Sequence, residues 1–258
     1  MVKRYTGGII QASRLTTTTN GGMYSVSTAA QAAGSSEWPI AITPDELRTV
    51  QGATLLLGLK FNASGPTKTG TYSITDQGTA SYATTGGIQN TGYLIPNSTP
   101  SGAFIVNQLN DSYIASLNKT YMAWYKGTQT TVLTGTPYSP SNPIFSTTNN
   151  NIYWGFGLNN GKMEIANGTH NMGTTSVNTG AWFHLAWTVT TSGTAIGYVN
   201  GVQEVTTSIN TSYPGCAYIA GGYPYAGVVS PSALDAIQIY DGILTPTQIR
   251  SVYLAGIA

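Results

Sequence analysis

Charge is what this sequence has least of. Only 7% of its 258 residues are Asp, Glu, Lys or Arg, where a soluble domain carries roughly 25%. Ten basic against nine acidic residues leave a formal net charge of +1. That provides no broad field to hold a polyanion, so nucleic acid is excluded as a partner. Cysteine is almost absent: Cys216 stands alone and cannot close an internal bridge, so stability does not depend on disulfides. With two histidines and one cysteine, no cluster has the spacing of a zinc site. No run approaches the roughly 20 apolar residues of a membrane span, so membrane insertion is not expected. The opening residues Met1-Val-Lys-Arg-Tyr-Thr-Gly-Gly lack the apolar stretch of a Sec-type signal.

Hydroxyl and amide side chains take the place of charge, with 31 Gly, 17 Tyr and 12 Pro, a mixture that favours turns and strands over helices. The 41% of hydrophobic residues is too many for a disordered chain. Residues 1–42 read apart from the rest. They hold Gly7-Gly8, the run Thr16-Thr-Thr-Thr-Asn-Gly-Gly and the small-residue run Ala29-Ala-Gln-Ala-Ala-Gly-Ser-Ser, and could not build a core alone. Such an arm must dock on the following domain or on another subunit, which makes a homo-oligomer assembled through residues 1–42 the expectation. Residues 43–258 form the domain proper.

Two short helices are predicted. Thr43-Pro44-Asp45-Glu46 and Thr245-Pro246-Thr247-Gln248 each place a capping Thr before Pro, with Glu or Gln three residues after the cap. In the second, Ile249, Val252 and Tyr253 share one helical face. Between them run candidate strands at 53–61, 70–75, 102–107, 120–126, 151–158, 162–167, 182–190, 195–199, 201–205, 217–220 and 233–240, separated by Gly, Pro and Asn. So many short strands at even spacing predict an all-β sandwich of two sheets. Asn200-Gly201 and Asn160-Gly161 are hairpin turns, because both central positions of that turn need positive φ.

Three segments in order carry a family resemblance: Gly180-Ala-Trp-Phe-His-Leu-Ala-Trp-Thr-Val, Ala195-Ile-Gly-Tyr-Val-Asn-Gly-Val-Gln, and Leu234-Asp-Ala-Ile-Gln-Ile-Tyr-Asp-Gly-Ile-Leu-Thr-Pro-Thr-Gln-Ile. Together they resemble the laminin-G-like branch of the concanavalin A-like lectin and glucanase superfamily. The resemblance is best over 182–254 and extends back to about residue 53. It implies a jelly-roll of two antiparallel sheets and places the Trp182-x-His184 pair between them. The arm, with Tyr5-Thr-Gly-Gly-Ile-Ile and Glu37-Trp38-Pro39, resembles the opening of structural proteins of tailed bacteriophages.

Glycosidases of this fold need two carboxylates on one face, and nothing here supplies them. Glu164 stands alone in Met163-Glu-Ile-Ala, Asp76, Asp111 and Glu204 read as isolated surface acids, and Asp235 and Asp241 are separated by a strand length. His184 reads as a satisfied core residue, and His170 in a loop shows no partner. The protein is therefore expected not to be an enzyme. Calcium is the one cofactor the resemblance brings in, with Asp235 as the candidate ligand, although a chain so poor in acids would bind it weakly. Carbohydrate binding needs an aromatic face beside amides and hydroxyls. Tyr213, Tyr223 and Tyr225, in or beside Gly221-Gly-Tyr-Pro-Tyr-Ala-Gly, are the candidate residues for a glycan or equally for a subunit contact, while Trp124, Trp154 and Trp187 read as core. Six Asn-x-Ser/Thr sequons follow from composition. The reading that joins both resemblances is a virion structural protein, capsid decoration or tail fibre, localised to the particle, with other virion proteins, its own copies and a cell-surface glycan as partners. The alternative is a secreted carbohydrate-binding module.

Overall fold

A computed structural model describes residues 10–11, 23–24, 50, 53–62, 64–76, 80–88, 92–96, 104–110, 118–128, 142–147, 154–211, 216–220 and 232–256. The expected helix at Thr43, Asp111 and Tyr213, Tyr223 and Tyr225 lie outside these residues. Within the arm, β1 (Ile10–Gln11) pairs with β2 (Met23–Tyr24) as a separate two-stranded ribbon.

The rest is a sandwich of two sheets, and every described strand pair in it is antiparallel. In the larger sheet the order is β16 (Val202–Ser208), β15 (Thr194–Val199), β14 (Trp182–Val189), β9 (Lys119–Gly127), β18 (Ser232–Asp241), β3 (Thr54–Asn62) and β4 (Gly65–Thr69). Off that path, β7 (Tyr93–Pro96) pairs with β18 and with β6 (Ala80–Ala83). The opposing sheet runs β13 (His170–Ser176), β12 (Lys162–Ala166), β11 (Gly155–Asn159), β10 (Asn142–Thr147), β17 (Cys216–Ile219), β8 (Phe104–Val106) and β5 (Ile74–Asp76). This is the expected jelly-roll architecture. Several of its strands were not foreseen, notably β4, β6, β7, β10 and β13, where Pro, Gly, Thr or Asn at strand positions reads as turn.

Period-two alternation decides what is core. In β14, Leu185, Trp187 and Val189 point between the sheets and are buried there with Tyr121, Phe145, Phe156, Leu57 and Ile239. Trp187 stacks on Phe156 of the other sheet at 5.5 Å between centroids, and Trp154 joins the same cluster. The even-numbered residues of β14 take the opposite face. The Trp182-x-His184 pair therefore lies on the outer side of the larger sheet, not between the sheets as expected.

That outer side is roofed by the C-terminal helix Pro246–Gly256. Its start is the predicted capping box: Thr245 Oγ1 accepts from the Gln248 backbone N–H, and Gln248 Oε1 accepts from Thr245 N–H at 2.8 Å. Ile249 is fully buried against Leu55, Met122, Ala186, Tyr198, Tyr240 and Leu244. The Asn200-Gly201 hairpin forms as predicted, with φ of 52° and 76°, and also seats the helix. Arg250 donates to the Asn200 carbonyl at 3.0 Å, and a Cβ on Gly201 would come within 2.8 Å of the Arg250 Cα. At the far end of the helix, Gly256 packs so closely that a Cβ would strike the Trp124 ring at 2.4 Å.

Candidate functional site

The outer row of β14 passes from open to closed within three residues. Trp182 is half-buried, whereas His184 is 1% exposed. The His184 imidazole lies between Trp124 (5.3 Å) and Tyr253 of the helix (6.3 Å). Both its ring nitrogens are buried, with no hydrogen-bond partner among the described residues. Burial alone holds its pKa down at about 3, because a charged imidazole would be desolvated with nothing to compensate it. The expectation of a core histidine is right in burial and wrong in its being satisfied. Sealed beneath the helix, it cannot meet a substrate.

Trp182 is positioned quite differently. Its indole Nε1–H donates to the Gly86 carbonyl at 3.2 Å, and Tyr93 meets it edge-on at 5.9 Å. Its cross-strand partner is Lys126, whose Nζ stands 5.9 Å from the ring centroid. The segment Thr84-Thr85-Gly86 beside it is exposed. An aromatic surface with exposed threonines at its edge is the arrangement that receives the apolar face of a sugar. Of the four described tryptophans, Trp124, Trp154 and Trp187 are at most 3% exposed. Trp182 is the one that reaches solvent.

Asp235 supports this platform from below. It is 1% exposed and stands opposite Trp124 on the outer face. One carboxylate oxygen accepts from Ile88 N–H at 2.9 Å and the other from Ala236 N–H at 2.7 Å. The first bond ties the loop that carries Gly86 to the sheet. The second stabilises a bulge in which Ala236 adopts φ +43°, an uncommon conformation for alanine. N–H donors aimed at both oxygens are the wrong surroundings for a calcium ion, which wants oxygen ligands. Among the described residues no group of three metal-ligating side chains occurs, so these residues do not fit calcium at Asp235.

A second polar cluster occupies the outer face of the smaller sheet. Glu164, expected to stand alone, is fully buried. Asn159 Nδ2 donates to it at 3.2 Å, and His170 Nδ1 contacts the same oxygen. His170 therefore has a partner after all. The cause is register: Glu164 lies opposite Gly157 and Met172, which puts Asn159 and His170 on its two diagonals. Such diagonal neighbours come within reach across a sheet and leave no mark in the linear sequence. Its described partners are an amide and an imidazole, not the second carboxylate a glycosidase needs.

The remaining acids also correct the expectation of isolation. Glu204 on β16 accepts from the backbone N–H and hydroxyl of both Thr174 and Thr175 on β13, and so joins the edges of the two sheets. Burial would raise its carboxyl pKa, but those four hydrogen bonds outweigh burial and hold it below the ordinary value. Asp76 remains exposed, as expected, and accepts from the Tyr82 hydroxyl at 3.4 Å. Asp241 is exposed and pairs with Lys119 at 2.9 Å.

Comparisons with known proteins agree with this architecture. Among solved structures, domain 4 of AbnA, a GH43 extracellular arabinanase from Geobacillus stearothermophilus, in complex with arabinotriose, matches with a TM-score of 0.53 and 21% identity, over 78% of this chain and 98% of that one. The binding domain of botulinum neurotoxin serotype D matches with a TM-score of 0.53 and 17% identity, over 78% and 51%. Trypanosoma rangeli sialidase matches with a TM-score of 0.58 and 16% identity, over 88% and 38%. The chain thus spans about half the length of the toxin binding domains it matches. A search of curated proteins found no match. At these identities the likeness concerns the fold. A laminin G family model, described as Concanavalin A-like lectin/glucanases superfamily, matches residues 101–250, more than half of the chain, and leaves the arm untouched. With both sheets, the Trp-x-His strand, the Asn-Gly hairpin and the capped final helix in place, the chain belongs to the concanavalin A-like lectin/glucanases superfamily.

Proposed function

We propose that the sandwich is a non-catalytic carbohydrate-binding module whose ligand stacks on Trp182. The observation that carries this reading is the Trp182 ring itself. It is open to solvent on a fold that buries its other described tryptophans, and its orientation is fixed by Gly86 and Tyr93. The likeness to an arabinanase domain crystallised with arabinotriose, matched over 98% of that domain, adds support. No catalytic pair of carboxylates is needed for such a role, and the partners of Glu164 and Asp235 hold those two acids in structural hydrogen bonds. The test is affinity electrophoresis of the full chain through gels containing plant and bacterial polysaccharides, arabinan included. Trp182→Ala is expected to abolish retardation while the fold persists. Retardation that survives this substitution overturns the assignment of the site.

A second reading places the module on a virion surface, with residues 1–42 as the assembly arm. The β1–β2 ribbon bears only on the arm, since its two strands pair with each other and with no described strand of the sandwich. The virion role itself rests on the arm's sequence resemblance. Light scattering of the full chain tests the assembly: an oligomer supports the arm's role, and a monomer at high concentration argues against it.

A further inference from the structure

Strand β9 carries a lysine near each end, and the two are treated in opposite ways. Lys119 is 4% exposed and pairs with Asp241. Lys126 is half-buried, and among the described residues no carboxylate lies within ion-pair distance of it. Its ammonium stands instead over the Trp182 ring. The ring quadrupole attracts a cation but does not neutralise it, so a whole positive charge remains at the platform of a protein with very little charge anywhere.

This placement has consequences that depend on the sign of the ligand's charge. A neutral sugar that stacks on the Trp182 face beneath the ammonium displaces it from the ring and loses the cation–π contact without replacing it. A sugar that bears a carboxylate draws the ammonium toward itself, forms an ion pair and frees the ring face for stacking. From this competition we infer that the Trp182 platform selects acidic glycans, with Lys126 as the specificity-determining residue and a uronic-acid type of sugar as ligand. The inference rests on the glycan-binding reading above and adds to it the class of sugar.

The test uses affinity electrophoresis of the full chain at low salt against two uronate polymers, polygalacturonate and hyaluronate, each beside its methyl-esterified form. Esterification keeps the sugar and removes the charge. The wild type is expected to bind a free acid about fivefold more tightly than its ester. Lys126→Met is expected to weaken binding of the acid and to strengthen binding of the ester about twofold, a pair of opposite shifts that general misfolding cannot produce. Trp182→Ala loses both. If Lys126→Met leaves the acid-over-ester preference intact, or shifts both forms alike, the inference falls while glycan binding stands. If poly-L-glutamate is retained as strongly as the uronates and Trp182→Ala makes no difference, the protein is only exchanging ions and the inference falls. If the wild type binds neither uronate polymer in either form, the inference falls, and if it also binds none of the neutral polysaccharides, arabinan included, the glycan-binding reading falls with it.

Discussion

The outer face of the larger sheet has a covered end and an open end, and they share the same strands. At the covered end, the C-terminal helix presses Ile249, Tyr253 and Gly256 onto Met122, Trp124, His184 and Ala186. At the open end, two residues along β14 and two along β9, Trp182 and Lys126 face each other with Tyr93 at their side. The chemistry of the exposed residues is no more polar than that of the covered ones: each end has tryptophan, tyrosine and one basic side chain. The difference is the roof. Where the helix ends, an aromatic row changes from core into a surface that can accept a ligand, and the histidine and lysine that flank it acquire opposite fates.

Acid sharpens this contrast most. Burial holds His184 at about 3 against an ordinary value of 6.5, so between those values the unfolded chain takes up a proton that the folded chain refuses. The contribution to stability is intact above about pH 6.5 and is lost as pH falls toward 3, at up to about 1.4 kcal/mol per pH unit. Urea denaturation of His184→Leu between pH 6 and 4 is expected to show a visibly flatter pH slope than the wild type. Lifting the roof comes next. Ile249→Ala removes the fully buried anchor of the helix and is expected to cost about 2–4 kcal/mol, read as a lower denaturation midpoint with platform binding retained.

A smaller effect is expected at the turn that seats the helix. Gly201→Ala puts a Cβ against the Arg250 backbone at a φ of 76° and should cost about 1–2 kcal/mol by the same assay. The smallest effect on stability belongs to the open end. Trp182→Ala is expected to lose under about 1 kcal/mol and yet all glycan retardation. A loss comparable to that of Ile249→Ala would mean that Trp182 is core and would erase the contrast.

How much of this was legible depended on whether the signal was local. The Asn-Gly turns and the Thr-Pro-x-Gln cap can be read directly, because each is a rule about near neighbours, and so can the period-two alternation of a strand. The same alternation put Trp182 and His184 on one face, but it could not say which face, since that depends on where a helix some 60 residues later comes to rest. The Glu164, Asn159 and His170 cluster and the Lys126–Trp182 pair are products of register between strands, and no spacing in the chain encodes register. Strand β13, His-Asn-Met-Gly-Thr-Thr-Ser, went unread because an edge strand bounded by the other sheet needs few apolar residues. Backbone pairing with β12 sets its register, and Glu204 ties it to β16. Tyr213, Tyr223 and Tyr225 lie outside the described residues, and the aromatic site found instead was marked in sequence only by a tryptophan two positions from a histidine.

The carboxylate of Glu204 also bears on how copies of this protein behave toward one another. A sandwich whose sheets end in unpaired strands offers each edge as a template for another molecule's strand, and a net charge of +1 supplies almost no mutual repulsion to keep molecules apart. By occupying the Thr174 and Thr175 N–H groups of one edge with an anion from the other, Glu204 uses up donors that an invading strand would need. In a chain with so few acids, one of them closes part of a sheet edge.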